Sequence, residues 1–170
     1  MSTLVRALLD FSRLGRNKKL AHVDFKKIIT NVIADLQMII KKSNTTIDVG
    51  EMPELNIYEI EIGQLFQNLI TNAIKFQKKD TSPKIKIRSK KVNEKWHFSV
   101  SDNGIGIAPA HYERIFDIFQ RLHNNNEYQG NGIGLANCKK IVELHQGKIW
   151  IESTLGKGTT FNFTISHLSL

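Results

Sequence analysis

Apolar and polar positions divide the chain into helix-like and strand-like stretches. In "TLVRALLDFSRL", Leu4, Leu8 and Phe11 fall close to helical spacing while Val5 and Leu9 widen the stripe, so the segment predicts an amphipathic helix whose apolar face wants a partner. "GRNKK", from Gly15, breaks the pattern and reads as a linker or hinge. Asp24 then caps a second predicted helix through about residue 42, with Phe25, Ile28, Ile29, Val32, Ile33, Leu36 and Ile40 on its apolar side. "TTIDVGEMP" reads as a short strand ended by Pro53. Asn56, three residues before Glu59, resembles a capping box and opens a third helix, "YEIEIGQLFQNLITNAIKFQ".

Strict alternation takes over in "KIKIRSKK" and "KWHFSVSD", two predicted strands, the second ending on Asp102. The segment 107–130 is long and polar in its second half, the character of a functional loop or lid. A fourth helix is predicted over about 132–145, and "GKIWIES" and "GTTFNFTI" supply two closing strands. No internal repeat or low-complexity tract interrupts this order.

Length and composition narrow the picture. A chain of 170 residues with 41% hydrophobic content fits one domain with its own core. Its longest apolar runs fall far short of the roughly 18 residues of a membrane span. Its N-terminus lacks the layout of a secretory signal, which places the chain in the cytoplasm. The lone Cys138 excludes an intrachain disulfide framework and a multi-cysteine zinc site. The net charge of +8 is partly carried by Lys84, Lys86 and Arg88, which alternate with Ile85 and Ile87 as one wet basic strand face. Such a face suits nucleic acid or an acidic protein, but a solvated edge is the simpler reading, and no aromatic residues interleave with these cations to stack on bases.

The candidate chemistry lies on the third helix and in two glycine clusters. At about 100° per residue, Asn68, Asn72 and Lys75 share one side of the helix, apart from Ile62, Leu65, Leu69, Ala73 and Phe76. Amide oxygens accept a hard cation such as magnesium and an ammonium meets phosphate charge, although alone this is also an ordinary polar stripe. Asp102, before "NGIGI", can accept a hydrogen bond from an exocyclic amine such as that of adenine, and Gly104 and Gly106 permit close backbone approach to a flat ring. Gly130, Gly132 and Gly134 precede a helix, where a glycine-rich turn makes an anion site. A Walker loop is excluded because Gly134 is followed by Leu135 and Ala136, and the alternate glycines of "GNGIGL" do not match a dinucleotide fingerprint.

Taken in order, these segments resemble the ATP-binding domain of sensor histidine kinases, within the wider class that includes gyrase, Hsp90 and MutL ATPases. "NLITNAIKF" is similar to the family's asparagine box, "DNGIGI" to its first glycine box and "IFDIFQRL" to its phenylalanine box. "GNGIGLANCKKIVELHQGKIWIES" is similar to its second glycine box and the strand beyond, and "GKGTTF" to its last box. The wording "FQRLHNNNEYQG" resembles phytochrome-type bacterial hybrid or sensor kinases, and the resemblance covers about residues 24–166.

The resemblance implies an α/β fold, a two-layer sandwich of a mixed sheet with helices on one face, plus an N-terminal helical stub. Residues 1–20 would be the end of a dimerisation and phosphotransfer helix with its linker, and 21–170 the catalytic domain. It further implies that Asn72, with Asn68 beside it, holds magnesium, that Lys75 contacts phosphate and that Asp102 recognises adenine. Residues 108–129 would form a mobile lid packed down by Phe116 and Phe119, with Arg121 reaching the phosphates. Gly130, Gly132 and Gly134, followed by Leu135, would complete the ATP contacts. Where the wider ATPase class uses a glutamate to activate water this chain has Asn68, an amide that cannot act as a base, so slow hydrolysis and transfer to histidine are expected.

No histidine here is followed by an acidic residue, so the acceptor is expected upstream on a dimerisation domain, with a response regulator receiver downstream and this chain itself a monomer. A nucleotide-binding scaffold without transfer activity, or a basic interaction module, are the alternatives. Asn131 replaces the usual threonine of the second glycine box. Gln146 replaces a common glycine and, if left-handed, costs on the order of 1 kcal/mol.

Overall fold

The computed structural model describes residues 2–16, 18–118 and 132–169. In chain order the elements are α1 (Thr3–Arg13), β1 (Leu20–Asp24), α2 (Phe25–Asp35), α3 (Gln37–Ser43), β2 (Thr46–Val49), β3 (Glu54–Tyr58) and α4 (Glu59–Lys75). They continue with β4 (Lys84–Val92), β5 (Lys95–Asp102), α5 (Gly134–Leu144), β6 (Ile149–Thr154) and β7 (Gly158–Ser166). Among the described residues, no helix is long and apolar enough to cross a membrane.

Five strands form one mixed sheet in the order β2-β4-β5-β7-β6, parallel between β2 and β4 and antiparallel elsewhere. The alternation read from the sequence sets its two faces. Ile85 and Ile87 of β4, Phe98 and Val100 of β5, and Phe161, Phe163 and Ile165 of β7 turn inward and are buried. Lys84, Lys86 and Arg88 stay exposed. That basic strand is not a sheet edge as expected, because β2 pairs with its first half from Thr46–Lys84 to Val49–Ile87.

α2 and α4 close over the inward face, and α5 packs beside α4. Phe25 of α2 stacks on Phe98 at 4.7 Å between ring centroids, Phe98 stacks on Phe163 at 5.2 Å, and Phe66 of α4 meets Phe163 edge-on at 5.7 Å. These rings join both layers into one core. Asp24 caps α2 as predicted, accepting the Lys26 N–H at 2.8 Å.

Two local expectations are corrected, and one strand pair was not anticipated. The predicted second helix is two helices, because Leu36 (φ −96°, ψ 11°) leaves helical geometry while keeping its side chain buried. Asn56 is not a helix cap. It lies inside β3 opposite His22, and α4 begins at Glu59 after Tyr58 with no side-chain cap bond. Asn56 instead bonds the His22 ring at 2.9 Å and donates to the Leu168 carbonyl at 2.9 Å. The antiparallel pair β1–β3 escaped the sequence because its partners are far apart along the chain.

The end of α5 is pinned to the start of α4. His145 is fully buried, its Nδ1 bonds the Ile141 carbonyl at 2.8 Å, and its Nε2 accepts the Tyr58 N–H at 3.1 Å. These partners require the neutral ring protonated on Nδ1. Burial holds its pKa below the ordinary histidine value. Gln146 follows at φ 59°, a left-handed conformation, so the cost of about 1 kcal/mol tied to that conformation applies.

Candidate functional site

The site gathers where α4 ends, β5 ends and α5 begins. Asp102 is the last residue of β5 and pairs with Ile85, which places it on the inward, helix-covered face of the sheet. Its Oδ1 accepts the Gly104 N–H at 2.8 Å and the Thr159 N–H at 3.3 Å. Among the described residues neither bond uses Oδ2, leaving that oxygen as an acceptor for a ligand. Burial raises the Asp102 pKa to about 6, while the two amide bonds pull it back down. Asp102 is therefore mostly ionised at pH 7, a half-buried carboxylate able to accept a hydrogen bond.

The loop after Asp102 is threaded between two backbones. A Cβ on Gly104 would stand 2.4 Å from the Phe76 carbonyl oxygen at the end of α4, and one on Gly106 (φ +76°) would stand 2.2 Å from the Thr154 carbonyl oxygen. The sequence reading gave these glycines to the approach of a flat ring. They also permit the close passage of the protein's own chain. The Ile105 N–H donates to the Phe76 carbonyl at 3.0 Å and the Ile105 carbonyl accepts the Gly156 N–H at 2.8 Å, so helix, loop and the β6–β7 turn are tied at one residue.

On α4, Asn68, Asn72 and Lys75 are half-buried along one side as the helical spacing requires. Asn68 Nδ2 donates to the Gly134 carbonyl at 3.2 Å, joining α4 to the first residue of α5. Lys75 Nζ lies 5.5 Å from the Phe76 ring centroid. Gly132 turns the chain at φ +73° just before α5, and Leu135 packs against the core. Asp102 thus lies by the end of α4, where Gly104 passes the Phe76 carbonyl, while Gly134 abuts Asn68 about two turns earlier on the same helix. Arg121 and Gly130, with Phe119 and Asn131, lie outside the described residues.

The donor set favours a cation that arrives with its own ligands. Among the described residues no grouping of three histidine, cysteine, aspartate or glutamate side chains suits a metal. Asn68 spends its amide nitrogen on Gly134, so the pair Asn68 and Asn72 offers neutral amide oxygens. That is a poor cage for a bare ion and a fitting partner for magnesium, which keeps waters and takes phosphate oxygens as ligands.

Several supporting residues were not singled out from the sequence. Asn103 Oδ1 accepts from Gln77 Nε2 at 3.0 Å and from the Lys84 N–H at 2.8 Å, and its Nδ2 donates to the Ser82 carbonyl at 3.2 Å, fixing the 77–84 connection. Ser153 Oγ accepts the Ile107 N–H at 2.7 Å and donates to the Gly158 carbonyl at 2.9 Å. Tyr112 Oη donates to the Ser153 carbonyl at 2.6 Å. In the expected lid, Ile115 is buried and Phe116 meets Phe161 edge-on at 6.3 Å. Only the "GTTF" motif hinted at Thr159; the others act through partners distant in sequence.

This fold and site define an ATPase-type domain, and the comparisons agree. Residues 57–169 match the histidine kinase-, DNA gyrase B- and HSP90-like ATPase family, and the chain belongs to that family. Over 97% of its length it is 47% identical to the phytochrome-like protein Cph1 of Synechocystis, of which it spans 22%. The catalytic domain of histidine kinase ThkA superposes with a TM-score of 0.75 at 30% identity, covering 88% of this chain and 96% of that one. Full-length ShkA in complex with AMPPNP gives 0.82 at 25% identity, covering 99% of this chain and 36% of that one.

Proposed function

We propose that the chain is the ATP-binding catalytic domain of a two-component sensor histidine kinase, placed in the cytoplasm. ATP binds with its adenine amine on Asp102 and its phosphates between α4 and the start of α5. The γ-phosphoryl group moves to a histidine nitrogen on a dimerisation and phosphotransfer domain, the bond to the ADP oxygen breaking as the nitrogen–phosphorus bond forms. From there it passes to the receiver of a response regulator.

Asn72, with Asn68 beside it, would hold magnesium, which would supply charge neutralisation on the phosphates. Lys75 and Arg121 contribute positive charge, and Gly130, Gly132 and Gly134 shape the phosphate turn with Leu135 after it. Asn68 carries no basic oxygen to activate water, which favours transfer over hydrolysis.

The observation that supports this reading is Asp102, a half-buried carboxylate with one oxygen occupied by backbone amides. An acceptor so placed favours a ligand that brings a donor, because a partly desolvated carboxylate oxygen gains from a hydrogen bond. Calorimetric titration of magnesium-ATP into the chain and into Asp102→Asn tests it. Affinity in the variant is expected to fall by at least about tenfold while its thermal stability does not fall, since the amide removes a partly desolvated charge and its oxygen still accepts the Gly104 and Thr159 N–H groups. Equal affinity in the two proteins would overturn the assignment. Affinity of the unmodified chain should also decline from pH 7 to pH 5, as Asp102 takes a proton around pH 6.

A further inference from the structure

α1 and α5 meet at one lysine. Lys140 Nζ donates to the Phe11 carbonyl at 2.9 Å and lies 4.7 Å from the centroid of the Phe11 ring. The same carbonyl accepts the Leu14 N–H at 3.3 Å, so the ammonium sits at the C-terminal end of α1, where free carbonyls and the helix dipole favour a cation. Next to it Gly15 turns the chain at φ +85°, so close to α5 that a Cβ would stand 3.1 Å from the Leu144 methyl carbons. No residue of α1 is buried. Beyond its last residue Leu14 packs against the core, so the helix takes its direction from this end alone, where the Lys140 clasp sits.

The joint is close to the phosphate end of the site. Lys140 follows Gly134, the residue bonded by Asn68, by about 9 Å along α5 at 1.5 Å per residue. We propose that Lys140 is a positioning residue for phosphotransfer. It holds the last turn of α1 on α5 and, with α1 read as the end of a helix of the dimerisation and phosphotransfer domain, so restricts the directions from which that helical hairpin presents its acceptor histidine to the ATP phosphates. The inference rests on the phosphotransfer reading above. A free joint would spread the acceptor over many orientations and lower its effective concentration at the phosphates.

Spin labels at Leu4→Cys and Val92→Cys, both exposed positions, report the direction of α1. Cys138 does not compete for label, being fully buried with its thiol pushed up to about 12. The unmodified chain is expected to give one narrow distance distribution. Lys140→Leu should broaden it and Lys140→Arg should keep it narrow, because a guanidinium retains both the carbonyl bond and the ring contact. In the parent kinase carrying the hairpin, Lys140→Leu should lower kcat for phosphotransfer about tenfold with the KM for ATP unchanged, and Lys140→Arg should restore it. An unchanged distribution, or a kcat equal to or above that of the unmodified kinase, would overturn the role of Lys140. Failure of the unmodified chain to bind ATP in calorimetry would instead overturn the phosphotransfer reading itself, whatever the labels report about the joint.

Discussion

α1 and α4 are both amphipathic helices, and they meet opposite fates. α4 buries Ile62, Leu65, Phe66, Leu69, Ile70 and Ala73 and is fastened at both ends. The His145 ring accepts the Tyr58 N–H where the helix begins, and the Phe76 carbonyl accepts the Ile105 N–H where it ends. α1 buries nothing and leaves Leu4, Val5, Leu8 and Leu9 exposed, with Lys140 clasping its last turn. An apolar stripe announces that a helix has a face to cover. It does not say whether the cover lies in the same chain.

That contrast can be broken most directly by truncation. Leu69→Ala should destabilise the domain by about 3 kcal/mol, because a fully packed side chain leaves a cavity, whereas Leu8→Ala should stay within about 0.5 kcal/mol. Chemical denaturation of both variants checks the pair, and comparable losses would mean that α1 shares the core after all.

The fastening of α4 at its exit can be sharpened at Gly104. Alanine there places a Cβ against the Phe76 carbonyl, so the loop or the helix end must shift, at a cost of about 2 kcal/mol. The same variant should lose ATP binding beyond its loss of stability, because Asp102 moves with the loop. Calorimetry beside denaturation separates the two effects.

The smallest effect belongs to the entry of α4. His145→Gln should cost about 1–2 kcal/mol by leaving the Tyr58 N–H poorly paired. His145 also carries a pH signature. Its folded pKa lies below the unfolded value near 6.5, so the unfolded chain binds the extra proton and stability falls as pH drops below about 6.5. Asp102 acts in the opposite sense, since its folded pKa of about 6 exceeds the ordinary carboxylate value and protonation below pH 6 relieves a partly desolvated charge. Denaturation of His145→Gln from pH 7 to pH 5 should therefore reveal stability that no longer declines with acid as steeply as in the unmodified chain.

Much of the fold was legible because its period was local. The alternation in "KIKIRSKK" and "KWHFSVSD" sets which side chains face the helices, and that phase puts Asp102 inside. The helical spacing of Asn68, Asn72 and Lys75 puts them on one side of α4, and Asp24 caps α2 with its own next turn. These features depend on residues within a few positions of one another, so the sequence by itself determined them.

Tertiary structure alone decided the rest. Asn56 looked like a cap because Glu59 follows at the right spacing, yet pairing with β1 draws it into a strand, and ladder bonds outweigh one side-chain cap. Gly104 and Gly106 carried no sign of the carbonyls of Phe76 and Thr154 that make a side chain impossible there. Asn103, Ser153 and Tyr112 look like ordinary loop and strand residues until the 77–84 connection and the β6–β7 hairpin are folded against them. Lys140, one more surface lysine in the sequence, becomes the clasp of α1 only when α1 is laid across α5. In each case the deciding partner is a backbone group distant along the chain, and no local pattern of side chains records where such a group will lie.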